Sequence, residues 1–216
     1  MPREPYTRVE GTLYYAADGA AGRALAAADD ELGALIAQVG EVRLDIDGDP
    51  FVSLARAIVD QQISGAAAAT IWRRFEALCG GRVTPDAVLG HTTQDLRGCG
   101  LSGQKTGYLQ DLAAHVADGR IDFAALAEYE DEDIIETLTA VRGIGRWTAQ
   151  MFLIFSLGRP DVFAADDGGL RRAVARLRGV DANLPKAAIE AMAEDWAPHR
   201  TAAALFLWKA LNTTDD

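Results

Sequence analysis

Apolar residues recur at helical spacing along nearly the whole chain, and this periodicity is the feature that most restricts its possible folds. Phe51, Leu54 and Ile58 show it clearly, because they share one face of a helix that Asp49 and Pro50 would open. Further helices are predicted over 66–78, from 84, and over 102–116, 131–141, 146–157, 166–177, 185–196 and 200–212. Only 9–15 and 42–46 resemble strands. We therefore predict an all-α protein of about ten helices.

The composition excludes several classes of protein. No run of about 18 apolar residues is present, which argues against a membrane span. The first residues lack the apolar stretch of a signal peptide. The two cysteines, Cys79 and Cys99, are too few for a disulfide framework or a four-ligand cluster. We expect an intracellular protein that needs no cofactor.

The net charge of -11 is unusual for a nucleic-acid binder, but the charges are segregated. Residues 142–178 hold seven basic and three acidic side chains, a net charge of +4. Residues 122–136 hold seven acids and no base. Such segregation is compatible with one DNA-facing side and an acidic remainder.

A hairpin sequence in residues 138–149 (LTAVRGIGRWTA) carries the most information. Gly143 and Gly145 allow positive φ and let a ligand approach the backbone, while Ile144 between them would anchor the turn in the core. The next helix begins here, and its free amides favour an anion. We therefore predict a phosphate clamp made by Gly143, Gly145, Arg146 and Thr148, which would read DNA position but not base sequence. The simpler alternative is a glycine-rich turn between packed helices.

With this hairpin, the chain resembles the helix-hairpin-helix DNA glycosylase superfamily, and within it the 3-methyladenine DNA glycosylase II branch. The resemblance extends from Pro50 to Trp208. Its specific pieces are 58–64 (IVDQQIS), 99–105 (CGLSGQK) with Tyr108, the hairpin, 161–167 (DVFAADD) and 196–200 (WAPHR). It implies two helical lobes around a cleft, one from 1–50 with 168–216 and one from 51–167, with the helix-hairpin-helix at about 134–157. It also implies a partner, damaged double-stranded DNA, and we expect the protein to act as a monomer.

Asp166 and Asp167 precede Gly168-Gly169 at a predicted helix start. Asp166 would be the N-cap and Asp167 the first helical residue, and without other signals both would merely cap the helix. The resemblance implies that Asp167, twenty positions after Trp147, is the catalytic carboxylate. An ionised carboxylate can stabilise the oxocarbenium-like sugar that forms when an N-glycosidic bond breaks. A purine alkylated at N3 or N7 already carries positive charge and leaves without an acid, so one carboxylate is enough.

Position 147 decides between two mechanisms. Bifunctional members of the superfamily carry a lysine there, whose amine forms a Schiff base. Trp147 stands at that place here, which predicts hydrolysis without lyase activity. The resemblance makes Trp147, Met151 and His199 the base pocket, where a flipped cationic base would stack on the indole. The alternative is a core tryptophan that packs beside Met151 and Ile154. Met151 and His199 replace aromatic residues of relatives, which leaves the lesion range open.

Further residues gain roles from the resemblance. Gln62, together with Gln61, would form the wedge that fills the gap left by a flipped nucleotide. Lys105 and Tyr108 either contact phosphates or form a solvated face, and the solvated face is slightly favoured. The branch also implies a monovalent cation on the hairpin carbonyls of Thr139, Val141 and Ile144.

Two other functions fit parts of the pattern. A non-catalytic DNA-binding module would keep the hairpin glycines but would not need Asp167. A glycosylase for oxidised or mismatched bases would share the fold, although such relatives often carry the hairpin lysine or a four-cysteine cluster, and both are missing here.

Overall fold

A computed structural model describes residues 6–9, 11–46, 48–181 and 183–213. The elements are β1 (Thr7–Val9), β2 (Thr12–Ala16), α1 (Ala20–Ala28), α2 (Asp30–Val39), β3 (Glu41–Asp45), α3 (Pro50–Asp60), α4 (Gly65–Leu78), α5 (Pro85–Leu89), α6 (Thr93–Gly98), α7 (Gly103–Ala117), α8 (Phe123–Leu126), α9 (Asp131–Thr139), α10 (Arg146–Phe155), α11 (Gly168–Arg178), α12 (Lys186–Met192), a 3₁₀ turn (Glu194–Trp196) and α13 (Arg200–Asn212). The predicted helical class is confirmed. Helices α1 and α2 were not assigned from the sequence, and the strand-like segments form a small antiparallel sheet in the order β1-β2-β3.

The chain divides into two compact units, residues 1–46 with 153–216 and residues 47–152. In the first unit, β2 pairs with β3 so that Leu13 lies opposite Leu44, and both side chains are buried. The alternation of buried and exposed residues along β3 explains why this segment reads as a strand. Helix α13 is the centre of this unit, because it contacts α2, α11 and β3.

A buried carboxylate joins three helical segments of the first unit. Asp29 caps α2 through a bond from the Leu32 amide (3.0 Å) and accepts the Trp196 indole N–H (2.8 Å). Arg178, in the last turn of α11, donates to the same carboxylate. Burial raises the pKa of Asp29, but these hydrogen bonds and the charge of Arg178 outweigh it and hold the pKa below its usual value.

The second unit contains α3 to α9 and the first part of α10. Its helix starts follow the local sequence signals. The Asp49 carboxylate accepts from the Phe51 amide (3.0 Å) with Pro50 in the first turn, and the Ser102 hydroxyl accepts from the Lys105 amide (3.2 Å). Asp49 and Pro50 therefore open α3 as predicted, and Ser102 caps α7 at the start of the helix predicted over 102–116.

The second boundary between the units falls after Phe152, whereas the sequence reading placed it after Asp167. Side chains at the start of α13 explain the difference. The Thr201 hydroxyl donates to the Arg159 carbonyl (2.6 Å) and accepts from the Val162 amide (3.0 Å). Arg200 forms two bonds of 2.8 Å with Asp161. These long-range contacts hold residues 159–162 against α13, and no local sequence pattern announces them.

Among the described residues, no helix has both the length and the apolar character that crossing a bilayer requires.

Candidate active site and DNA-binding hairpin

The turn between α9 and α10 has the predicted glycine-rich form, but its two glycines serve different purposes. Ile144 is 4% exposed, so it anchors the turn in the core as expected. Gly143 has φ +85°, and a Cβ there would overlap the Tyr108 ring. Gly145 lies outside the positive-φ region, and a Cβ there would meet nothing within 4 Å. Gly143 is therefore required by the fold, whereas Gly145 leaves open space in front of the turn.

The predicted anion-binding site is the amino end of α10. The Gly145 carbonyl accepts from the Ala149 amide (3.0 Å), so the helical hydrogen bonds begin at the turn itself. Amides of a first helical turn have no carbonyl within the helix, and they point toward the solvent at its N-terminus. Thr148 is 6% exposed, which argues against a phosphate contact through its hydroxyl and leaves a role for main-chain groups.

The arginines beside the hairpin are paired with acids. Arg146 forms bonds of 2.9 and 2.5 Å to Glu132 on α9, and the Arg142 guanidinium lies 3.4 Å from an Asp111 oxygen. Arg178, from the same basic window, binds Asp29 and Glu31. Acids outside the window therefore offset the local excess of positive charge inferred from the sequence. Exposed pairs such as Arg146–Glu132 are weak and can exchange for a phosphate.

Asp111 holds the base of the turn. Its carboxylate accepts the Arg142 main-chain amide (2.9 Å). Burial raises the pKa of Asp111, but the hydrogen bonds and charge of Arg142 lower it by more. The ionised carboxylate of Asp111, which lies on α7, therefore holds the main chain at Arg142, where the hairpin turn begins.

The cation prediction concerns carbonyl oxygens, which are suitable ligands for hard cations. The Val141 carbonyl accepts the Ile144 amide (3.1 Å), which leaves one lone pair on that oxygen. The described residues contain no cluster of three or more histidine, cysteine or carboxylate side chains suited to a metal ion. A site for a weakly bound monovalent ion at Thr139, Val141 and Ile144 stays a prediction.

Both glutamines at the end of α3 lie in the same unit as the hairpin, but they have different surroundings. The Gln61 side chain donates to the Gly143 carbonyl (2.8 Å), which ties the end of α3 to the turn. Gln62 is exposed and has φ +56°. Gln62 is therefore free of the contact that holds Gln61 to the hairpin, and its role as a wedge stays a prediction.

Lys105 and Tyr108 do not form the solvated face that the sequence favoured. The Lys105 ammonium donates to the carbonyls of Val59 (2.7 Å) and Gln61 (2.6 Å). Burial lowers the pKa of Lys105, while the charge of Asp60 opposes this shift. The Tyr108 ring lies against Gly143, and its hydroxyl contacts Gln104 at 2.5 Å. Lys105 therefore contacts the end of α3, and Tyr108 contacts the hairpin turn. Both contacts join residues that are far apart in the sequence.

Asp167, and not Asp166, is the N-cap of α11. Its backbone is extended (φ -67°, ψ 123°), and its Oδ1 accepts the Leu170 amide at 2.8 Å. Asp166 instead forms a 2.7 Å ion pair with Lys186. The prediction of Asp166 as the cap was wrong by one residue, because two adjacent aspartates offer the same local signal and only the backbone turn separates them.

Trp208 also binds the Asp167 carboxylate, and sequence reasoning assigned it no role. Its indole N–H donates to Oδ1 (3.0 Å), and its ring stacks on Phe155 with centroids 6.0 Å apart. A Cβ on Gly169 would lie 3.0 Å from that oxygen and 3.3 Å from the indole, so a glycine is needed for this close approach. Trp208 lies 41 residues from Asp167, and no local pattern links the two.

Comparison with known proteins shows which family this chain belongs to. The profile of the HhH-GPD superfamily of base excision DNA repair proteins matches residues 55–199. The chain belongs to this superfamily.

Individual superfamily members are similar over most of the chain. DNA-3-methyladenine glycosylase 1 of Schizosaccharomyces pombe is 37% identical over 170 residues, which are 77% of this chain and 75% of that protein. The crystal structure of a DNA-3-methyladenine glycosidase from Bacillus halodurans is similar with a TM-score of 0.88 and 39% identity, over 94% of each chain. A Schizosaccharomyces pombe 3-methyladenine DNA glycosylase in complex with abasic DNA has a TM-score of 0.77 and 32% identity, over 91% of this chain and 98% of that one.

Within this superfamily member, the predicted base-pocket residues have distinct surroundings. Trp147 is 44% exposed, whereas Ile154 on the same helix is fully buried. The core-tryptophan alternative is therefore wrong for Trp147, and Met151 is half-buried. His199 is the residue before α13, and its buried Nδ1 has no hydrogen-bond partner among the described residues. Burial lowers the pKa of His199, against the charge of Asp161, and so favours a neutral ring.

The predicted site residues are divided between the two units. Asp166, Asp167 and His199 belong to the first unit, while the hairpin, the glutamines, Trp147 and Met151 belong to the second. The structure brings together Gln61 and Gly143 within the second unit. Joint action of both groups on one nucleotide stays a prediction.

Proposed function

We propose that this protein is a monofunctional DNA glycosylase that acts as a monomer and removes alkylated purines from double-stranded DNA. The Asp167 carboxylate is the observation that carries the proposal. It is held at a helix N-terminus by the Leu170 amide and the Trp208 indole. The relatives named DNA-3-methyladenine glycosylase support the substrate class.

The proposed chemistry is hydrolysis at C1′ of the damaged nucleotide. The bond from C1′ to the base nitrogen breaks, and its electron pair neutralises the cationic purine. Positive charge then develops on the sugar, where an ionised Asp167 stabilises it. A water oxygen bonds to C1′ and loses its proton to the carboxylate or to solvent, which leaves an abasic site. No external acid is needed, because the leaving base carries its positive charge from the start.

The fixed Oδ1 explains why this carboxylate suits the task. Two hydrogen bonds orient it before the substrate arrives, so no reorganisation is needed as charge develops. The dipole of the eleven-residue helix α11 places partial positive charge at this end, beside the Asp167 carboxylate. Asp166 is held by Lys186 and has no part in the proposed step.

The absence of lyase activity is a further part of the proposal. Trp147 occupies the place where bifunctional relatives supply an amine, so no Schiff base would form there. Lys186 is the amine beside Asp166, and it is engaged in a 2.7 Å ion pair with that carboxylate.

One experiment tests substrate and mechanism together. Duplex DNA treated with a methylating agent is incubated with the protein, and the released bases are identified by mass spectrometry beside undamaged DNA. We expect 3-methyladenine and 7-methylguanine from the treated DNA, and intact abasic strands that borohydride does not trap on the protein. Release of oxidised bases only, or of no base at all, would refute the proposed substrate. A trapped adduct that disappears in Lys186→Met would refute the monofunctional assignment.

A further inference from the structure

The residue proposed as the wedge has an unusual backbone conformation. Gln62 follows α3 with φ +56°, and among the described residues it is the one non-glycine with positive φ. A side chain in this region is disfavoured, so surrounding contacts must hold the backbone there. Strain of this kind is concentrated at active sites, ligand clamps and switch regions.

Lys105 holds the peptide that precedes Gln62. Its ammonium donates to the carbonyls of Val59 and Gln61, at 2.7 and 2.6 Å. These carbonyls lie at the C-terminal end of α3, where no further helical amide is available to them. Because the Gln61 carbonyl belongs to the same peptide as the Gln62 amide, its orientation limits φ of Gln62 directly.

Residues 59–62 form a corner at the end of α3. Other contacts of this corner make the arrangement rigid. Lys105 lies in the first turn of α7, and its amide is bound by the Ser102 cap at 3.2 Å. The Gln61 side chain donates to the Gly143 carbonyl (2.8 Å), so the same corner is joined to the hairpin. Two of the three N–H groups of the ammonium are used by carbonyls, which leaves at most one for a phosphate.

We propose that Lys105 is a positioning residue for the Gln62 side chain, which it holds ready to enter the DNA gap left by a flipped nucleotide. This inference rests on the proposed function for the existence of the flipped nucleotide. If the corner were loose, its ordering would reduce the free energy gained on insertion. Lys105 therefore assists base flipping without contacting the reacting atoms.

The first test measures wedge insertion without catalysis. A duplex carries a tetrahydrofuran abasic analogue, and 2-aminopurine takes the place of the orphaned base opposite it. We expect the wild-type protein to change the 2-aminopurine fluorescence, and Lys105→Met to lose at least about four-fifths of this change at saturating protein. Lys105→Arg should keep most of the signal, because a guanidinium can also donate to two carbonyls. Lys209→Met, which removes an exposed lysine from α13, is the matched control and should behave as wild type.

The second test separates positioning from a general loss of structure. Single-turnover release of 7-methylguanine is measured with the lesion opposite cytosine and with the lesion opposite an abasic analogue, where flipping is easier. We expect Lys105→Met to slow release about tenfold from the paired duplex and less than threefold from the unpaired one. In a Gln62→Ala background, Lys105→Met should cause no further loss on either duplex. Circular dichroism verifies folding, and Lys105→Gln replaces Lys105→Met if the latter does not fold.

Several results would overturn the inference. Equal losses on both duplexes, a full fluorescence change with Lys105→Met, or additive losses with Gln62→Ala would each show that Lys105 does not act through Gln62. If wild-type protein released no methylated base while the fluorescence change still depended on Lys105, the proposed function would fail and the positioning role would stand. If release were normal and insensitive to Lys105, the positioning role alone would fail.

Discussion

At the scale of single residues, one oxygen atom of Asp167 caps α11 and belongs to the carboxylate that we propose as the catalytic group. Oδ1 accepts the Leu170 amide at 2.8 Å and the Trp208 indole at 3.0 Å, so the cap that begins α11 also orients the proposed catalytic group. Because asparagine caps helices about as well as aspartate, the two tasks can be separated by one substitution.

Asp167→Asn should reduce single-turnover base release by at least about a hundredfold, because the negative charge that meets the sugar cation is lost. The melting temperature should change little, since the capping oxygen remains. Asp166→Asn is the matched control, because it removes only an ion pair between half-exposed side chains. Substantial activity in Asp167→Asn would contradict the proposed mechanism.

Trp147→Ala should slow release of cationic 7-methylguanine more than release of neutral hypoxanthine. The cation–π interaction contributes about 0.5 to 2 kcal/mol and applies only to the charged base. The ratio of the two rates should therefore fall by up to about tenfold, and Trp147→Phe should lie between. Equal losses for both bases in a folded variant would show that the 44%-exposed indole only packs against the base.

Gln62→Gly should stabilise the protein and impair its function. Glycine adopts φ +56° without steric cost, and the gain of about 1 kcal/mol should raise the melting temperature by about 2–4 °C. Paired lesions should be excised more slowly because the wedge is gone. Gln61→Gly is the control. It has φ -54° and donates to Gly143, so the same change there should lower the melting temperature.

At the scale of elements, the α9–α10 hairpin shows that two glycines of one turn, separated by a single residue, can be present for opposite reasons. Gly143 is required by its neighbours within the protein, because it has positive φ and lies against Tyr108. Gly145 has no protein atom within 4 Å of its Cβ position, so the space in front of it is available to a ligand.

Gly145→Ala should therefore weaken binding to damaged and undamaged duplexes by similar factors, with the fold intact, because the clamp contacts phosphate and not base edges. Fluorescence anisotropy at constant salt measures this binding. Gly98→Ala is the control, since it adds a methyl group to another open position, at the end of α6. Weaker binding confined to lesion-bearing DNA would contradict the clamp. Gly143→Ala should instead lower the melting temperature.

At the scale of the whole molecule, buried and partly buried carboxylates support each of the two units. Asp29 joins α2, α11 and Trp196, and Asp161 holds Arg200 at the start of α13. In the second unit, Asp111 holds the hairpin through Arg142. Burial raises the pKa of each carboxyl, and in each case hydrogen bonds and charges from arginine lower it by more.

These shifts predict acid sensitivity. A carboxylate with a lowered folded-state pKa contributes stability above its unfolded-state pKa of about 3.9, and that contribution is lost as pH falls through the folded value. The melting temperature should therefore drop steeply from about pH 4 downward. Asp161→Asn should show a shallower drop, and Asp166→Asn, whose ion pair is half-exposed, should follow the wild type. A melting temperature that stays constant between pH 5 and 2.5 would contradict this role.

The helical class, most helix starts and the hairpin could be predicted from the amino-acid sequence, because these depend on interactions between residues a few positions apart. The local sequence predicts two helix N-caps and one turn, at Asp49-Pro50, Ser102 and Gly143-Ile144-Gly145. The resemblance added the prediction that Asp167, and not Asp166, is the catalytic carboxylate, whereas the N-cap of α11 was predicted one residue too early.

Contacts between distant residues were decided by the tertiary structure alone. The bond from Trp208 to Asp167 spans 41 positions, and the bond from Lys105 to the Gln61 carbonyl spans 44. The Asp29–Arg178 pair spans 149. Hydrophobic periodicity reports which face of a helix is buried, but not which partner it meets. The side chains that orient the proposed carboxylate and wedge therefore become visible only once the helices are packed.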